Sequence, residues 1–490
     1  MLPLLIGLLA AVGPLLRGAW DLWAQSALVL AVTAGFSLWL IGRLAVGYIP
    51  LPSNRTLLWV LALGCLGACS AWLSPVRAQA LPAWRAEFLG LWVFLAMTAV
   101  SKDERSAIDE AIRASAWVLL LLAFYQRFHD KIGSPPASFL NANVFAGTSL
   151  MLLALAAQKR DWLLAGGLVL ILFWERSVGA WLGLGGALIL SRRSAGGTAY
   201  RLGAAIGFVC LVAIYGKLES PEVLHRWQWW ETACRMAWTR PLLGFGPGSF
   251  AYAMTAFEDP GRALSSLYAH QHFLETAAEN GLPYLFLWGA GLYQCLRRGG
   301  PHKRFGALAI LIQSLWDYPL SIPANFWLFS YFTASSIPES SRGVNIPARL
   351  KFPAALLVLA LAAGSGVKVF NCWEADRLKS SAVEEFRRGA PAGEALSRLR
   401  RAAVLADDSE TERYAAEILL AAAKPNDELA LLDADRHLER AAALNPYRAS
   451  TWAALERLDI RLGRPREAAE KRREGALFCP ILRVIPGSPP

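Results

Sequence analysis

Charged side chains are scarce in this chain. Only 18% of its 490 residues are Asp, Glu, Lys or Arg, against about 25% in a typical soluble domain. Hydrophobic residues make up 55%. That imbalance excludes an ordinary soluble fold for most of the length. Cysteine is sparse as well, and no two of the seven have metal-ligand spacing. Cys65 and Cys69 share a helix face inside an apolar stretch. They read as small apolar side chains packed among helices, not as a disulfide framework or a zinc site. The first residues, MLPLLIGLLAAVGPLL, lack a basic leading region and a convincing A-x-A cleavage site. They read as a first membrane span and not as a removed signal peptide.

Acidic residues are in deficit in one part only. Residues 371–490 hold 20 Lys+Arg and 20 Asp+Glu, a neutral tail that is one-third charged. Residues 1–370 hold 29 basic and 18 acidic residues, so the whole +11 excess sits in the hydrophobic part. A basic excess raises the question of nucleic acid. No basic helix with an apolar, non-membrane face accompanies it, so no nucleic-acid partner is expected. The charge reads as loop charge that sets membrane topology.

Apolar stretches are what the chain has in abundance. Candidate spans lie at 2–16, 23–42, 56–74, 86–100, 108–126, 142–157, 162–175, 178–191, 203–217, 282–296, 305–317, 322–337 and 352–370. Several are shorter than the roughly 20 residues a crossing needs. The expected fold is all-α: a polytopic bundle of about 12–13 transmembrane helices at residues 1–370 with a soluble helical tail at 371–490. With the N-terminus inside, the inside loops and adjoining Arg113 hold 17 Lys+Arg and the short outside loops six. The positive-inside rule favours that orientation. It places the long segment 218–281 and the tail outside, on the periplasmic side of a bacterial inner membrane.

The tail has helical spacing. Pro446 and Pro480 are 34 residues apart, and Leu444 and Phe478 keep the same offset. That period resembles tetratricopeptide repeats, with an earlier degenerate unit near LRRAAVLADDSETERYAAEILLAA. Such a tail contacts a protein partner or packs on its own enzyme.

Segment 218–281 carries three of the six histidines and four tryptophans. Connections of that length are uncommon and tend to be functional. Arg226 and Trp230 share a face of an expected short helix that Pro241 stops. Gly244, Gly246 and Gly248 then let the backbone turn and approach a ligand. Arg suits phosphate through its planar fork. The bland alternative is an interfacial helix with Trp anchors and a snorkelling Arg. His270, with Glu279 and Gly281 beyond it, could take a proton from an attacking hydroxyl or simply face headgroups. His270 and His272 are two apart and on a helix would point to different faces, and no third ligand is evident, so no metal is expected. Asn141 and Asn143 begin a span, where amides bind sugar hydroxyls or cap the helix. Glu175 and Arg176 lie between two apolar runs, as functional charges or as a mutual pair.

In order along the chain, these pieces resemble the O-antigen ligase and O-antigen polymerase superfamily. The similarity covers about residues 140–335. It rests on Asn141–Asn143, then Ser177 to Ala180, then Arg226 and Trp230 with Pro241 to Phe250. Ala269-His270, Leu274, Glu279 and Gly281 follow, and then Asp317-Tyr318-Pro319 with Ile322 to Asn325. Val178 stands where the family has Arg, with Arg176 nearby, and Gln313 stands where it often has His.

The resemblance implies a multi-span glycosyltransferase of the GT-C type that needs no cofactor and no metal. Such enzymes move a glycan, with inversion, from undecaprenyl pyrophosphate to lipid A core, another glycan or a protein. His270 would be the base or assist at the pyrophosphate, and Arg226 and Arg176 would hold the leaving pyrophosphate. Asn141, Asn143, Trp230, Gly244, Gly246, Gly248, Glu279 and Asp317 would line the substrate site. The alternatives are a polymerase or protein O-oligosaccharyltransferase and, in another class, a transporter or scaffold. The chain shows no repeat between halves of the kind transporters often have.

Overall fold

The structure, a computed structural model, describes residues 1–215, 220–258, 265–339, 342–424 and 427–483, apart from the side chains of 192–197, 199, 200, 222 and 483. The last two positions of the expected span 203–217, and the side chains of Arg192 and Arg193 in the loop-charge count, lie outside these residues.

Each of the thirteen apolar stretches coincides with helix, and the described chain is an all-α membrane bundle. Among the described residues, four helices are long and apolar enough to cross a bilayer: Leu22–Val46, Asn54–Trp72, Arg77–Ala99 and Ala348–Arg387. Shorter apolar helices include Ala142–Gln158, Trp162–Glu175 and Val178–Leu190. Pro323–Ala334 has only 12 residues, about 18 Å of helix at 1.5 Å per residue. It stays short because it is core, buried on nearly every face. Trp327 and Tyr331 are wholly inaccessible there. Trp327 Nε1 donates to the Ala86 carbonyl at 2.7 Å, tying this helix to Arg77–Ala96.

Two devices set helix spacing. A Cβ added at Gly183 would come within 2.4 Å of the Ala309 carbonyl oxygen, so only glycine lets Val178–Leu190 lie against Pro301–Gln313. Close approach of this kind is how membrane helices gain packing energy without a hydrophobic drive. At the end remote from the long loop, Lys303 Nζ lies 2.7 Å from Asp109 Oδ1, and Tyr331 donates to the same oxygen at 2.7 Å. Both charges are buried, and each meets its opposite.

Segment 218–281 is not structureless. It holds helices Pro221–Thr239, Phe250–Ala253 and His272–Asn280. The first ends before Pro241, as expected. His270 precedes the third helix and His272 is its first residue, so the helical argument against shared chelation does not apply. The two rings are separated by environment instead, as described below.

Helix Ala348–Arg387 runs unbroken through position 370 into the tail. Five helices follow: Ala392–Leu405, Ser409–Ala422, Glu428–Leu444, Ala449–Arg461 and Pro465–Phe478. Pro446 and Pro480 bracket the last pair, whose Trp452 and Phe478 rings stack at 6.4 Å. The tail does not stand apart from the long loop. Tyr447 meets Phe245 edge-on at 4.9 Å and Phe257 face-on at 6.0 Å. Asn445 Nδ2 donates to the Tyr252 carbonyl. Loop and tail therefore share one apolar core.

Trp327→Ala is expected to lower stability by about 3–5 kcal/mol, the cost of a large core cavity. Thermal unfolding of the detergent-solubilised protein measures it, and an unchanged midpoint would show that this helix is not the core.

Candidate active site

The site forms where three segments remote in sequence meet. Helix Pro221–Thr239 supplies Arg226, the turn before His272–Asn280 supplies His270, and the turn after Pro301–Gln313 supplies Asp317. Asp317 is 2% exposed. Its Oδ1 accepts from the Tyr318 amide and lies 3.3 Å from His270 Nδ1, close but not aligned as a hydrogen bond. Its Oδ2 lies 3.8 Å from Arg226 Nη2. Arg226 Nη1 donates to the Trp316 carbonyl at 2.6 Å. One buried carboxylate thus faces both the imidazole and the guanidinium. A buried anion is tolerated only with such partners.

Aromatic rings fix the imidazole. It stacks on Trp229 at 4.8 Å and meets the edge of Tyr318 at 4.6 Å. Trp230 Nε1 donates to the His270 carbonyl. His270 has φ of +53°, a conformation non-glycine residues rarely adopt. Sparse backbone conformations of this kind persist where surroundings over-determine them. Burial with Asp317 beside it pushes the Tyr318 hydroxyl up.

The glycine loop is built around a protein carboxylate and not around an open ligand seat. Gly244, Gly246 and Gly248 all have positive φ, at 62°, 103° and 66°. Glu279 accepts from the Gly248 amide at 2.9 Å and the Phe250 amide at 2.8 Å. Such a concavity of amides binds anions, and here the anion is Glu279. A Cβ at Gly244 would fall 2.3 Å from the Glu279 carbonyl oxygen, and one at Gly246 would fall 2.6 Å from Ser74. These four residues pack the loop onto the neighbouring helices, and Gly248 and Glu279 also line a cavity. Burial outweighs the amides and pushes the Glu279 carboxyl up to about 7.

Residues 142–289 match the family described as O-antigen ligase. Over this segment, less than a third of its length, the chain is similar to the O-antigen ligase and polymerase superfamily, which supports a glycosyltransferase activity of that general type in a multi-pass membrane protein. No curated protein matches it. The matched segment holds Arg226, Trp230 and His270, whereas Asp317, which unites them, lies beyond it.

The remaining expected residues divide. Asn141 caps helix Ala142–Gln158, its Oδ1 accepting from the Asn143 amide at 2.7 Å. Its side chain also lies beside the Tyr318 hydroxyl. The Asn143 carbonyl accepts from Gln313 Nε2 at 2.8 Å. Gln313, which stands at the family's frequent His, is wholly buried and pins that span. Arg176 is not brought to His270. It is exposed, closes helix Trp162–Glu175 in a left-handed conformation, and makes no ion pair among the described residues. Glu175 beside it is 4% exposed, and neither of its carboxyl oxygens has a hydrogen-bond partner. The mutual Glu175–Arg176 pair is therefore not formed. Arg176 does share an end of the bundle with the site, because Gly179 approaches Gln313 and Trp316.

Sequence reasoning gave Trp316 no role, although its carbonyl holds Arg226. A backbone acceptor leaves no signature in side-chain type. Buried Glu275, which accepts from the Ala269 amide at 2.6 Å, was equally invisible. His272 sits on the far side of its turn, with Nδ1 3.1 Å from the Ser321 hydroxyl and its ring against Trp288. Burial pushes it down to about 4, so it is neutral where His270 has a carboxylate partner.

The raised Glu279 carboxyl gives stability a pH slope. Between about 4.5 and 7 the folded state keeps a proton that the unfolded chain has released. Stability is therefore expected to fall as pH rises through that window. Glu279→Gln should flatten the slope of unfolding midpoint against pH, and an equally steep slope would place its origin elsewhere.

Proposed function

We propose that the chain transfers a glycan from undecaprenyl pyrophosphate to an acceptor hydroxyl, on the periplasmic side of the bacterial inner membrane. The observation that carries this reading is Asp317 facing both His270 and Arg226. A carboxylate at Nδ1 selects the tautomer in which Nε2 is free to accept a proton. The acceptor oxygen attacks the anomeric carbon as its proton passes to His270 Nε2. The bond from that carbon to the pyrophosphate oxygen breaks, and its electron pair leaves with undecaprenyl pyrophosphate. Attack opposite the leaving group inverts the anomeric configuration. Arg226 is aimed at the charge that develops on the departing oxygen, where a fixed cation is worth most.

Asp317 is in this reading a positioning residue, not a substrate ligand. Arg176 is a second cation at the same end of the bundle, free among the described residues to meet phosphate. Trp230 sets the His270 backbone, and Asn141 sets Tyr318. The acceptor is lipid A core, a polysaccharide or a protein. The tail, proposed as tetratricopeptide-like, belongs to the catalytic unit as well as offering a surface to a protein partner. Its shared core with the long loop supports this.

His270→Ala is expected to abolish glycan transfer while the protein still inserts. Asp317→Asn should reduce turnover by about 100-fold or more, as misorienting a base does. Normal transfer in the first variant would remove the proposed base. A reporter at residue 400 is expected to read periplasmic, and a cytoplasmic reading would overturn the orientation. Comparison of lipopolysaccharide, free polysaccharide and glycoprotein in a deletion strain identifies the acceptor.

A further inference from the structure

A cavity of about 330 Å³ lies on the other side of the turn that carries His270. Helices Arg77–Ala96 and His272–Asn280 wall it, together with the tail end of helix Ala348–Arg387 and the turn at Ala406 to Asp408. Neither His270 nor Arg226 lines it. Its volume is in the range of small-molecule sites. The tail closes it through one ionic junction. Lys379 Nζ lies 2.9 Å from Asp408 Oδ2 and 3.1 Å from Asp376 Oδ1. Gln79 Nε2 donates to Asp408 Oδ1 at 2.7 Å, joining tail to membrane helix.

The lining chemistry is specific. Trp20, Tyr252, Tyr268 and Trp288 present rings. Glu87, Glu275 and Asn280 present oxygens. Asn280 is 2% exposed, yet its Oδ1 has no hydrogen-bond partner. Its Nδ2 donates to Glu87 Oε2 at 3.5 Å, so this part of the wall is polar. Carboxyls outnumber the single lining cation, Lys379, which is already committed to two aspartates. A phosphate or pyrophosphate finds no uncommitted cation among these lining side chains. Rings for apolar sugar faces, and acceptors for hydroxyls, suit an uncharged saccharide.

We infer that this cavity, completed by the tail, binds the sugar chain of the acceptor. The inference rests on the transferase reading and deepens it. Tyr268 is the wall common to both sites. It accepts from Trp20 Nε1 at 2.7 Å on the cavity side and stacks on Tyr318 at 4.4 Å. Tyr318 in turn touches the His270 ring. A saccharide in the cavity thus ends one aromatic layer from the base.

The test uses Cys372, a cavity-lining thiol, in a full-length variant in which the other six cysteines are alanine and His270 is alanine. The probe is oligosaccharide released by mild acid from the envelope of cells that lack this protein. It is expected to slow maleimide alkylation of Cys372, and Asn280→Leu should weaken that protection by about tenfold in probe concentration. Protection by undecaprenyl phosphate and not by the oligosaccharide would overturn the assignment, as would no protection by either. In the otherwise native enzyme, Lys379→Met is expected to raise the acceptor KM with little change in kcat, and an unchanged KM counts against the tail's part. Transfer retained by His270→Ala would instead sink the transferase reading and leave the protection result standing.

Discussion

The carboxylate of Asp317 is a charge taken out of water, and the site is arranged by what that requires. Removing a carboxylate from solvent costs several kcal/mol unless cations and donors meet it. Here the partners come from two segments that are far apart in the chain, Arg226 and His270. The electrostatics of one group therefore docks helix Pro221–Thr239 and the His270 turn onto the membrane bundle. The aromatic rings around His270 then leave the imidazole little freedom. Catalytic groups gain most when held in place before reaction, and this is how such holding is built here.

Glu279 does for the glycine loop what Asp317 does for the catalytic pair. The backbone amides that in other proteins cradle phosphate are closed onto an internal carboxylate. These amides are engaged within the protein, so in the proposed reaction positive charge for the leaving group comes from side chains. The tail is a third part of the same assembly. Its rings enter the loop's core, and its Lys379–Asp408 pair closes the neighbouring cavity. The long loop and the tail pack as one unit against the membrane helices.

Much of this was legible in the residues. Each apolar stretch marked a helix among the described residues, because a helix must bury or expose to lipid a long apolar surface. His270, Arg226 and Trp230 were legible because their types suit the chemistry and their order resembles a family. Asp317 was legible as a site residue but not in its role, since sequence does not say which cation a carboxylate will meet. The glycines were legible as a close approach of backbones and not as a role. A run of glycines shows that backbones come close, but not whether the close neighbour is a ligand or, as here, Glu279 and Ser74.

The boundary between the two sources of knowledge is a matter of range. Hydropathy, loop charge and motif order are local or additive, so the sequence alone determined an all-α membrane fold, its expected orientation and its family. Three outcomes depend on long-range packing that no local pattern encodes. These are the meeting of Arg226 and His270 on Asp317, the closure of the glycine loop on Glu279, and the tail as a cavity wall. Each is decided by which buried polar group finds a partner once the helices have packed, and only the tertiary structure decides that.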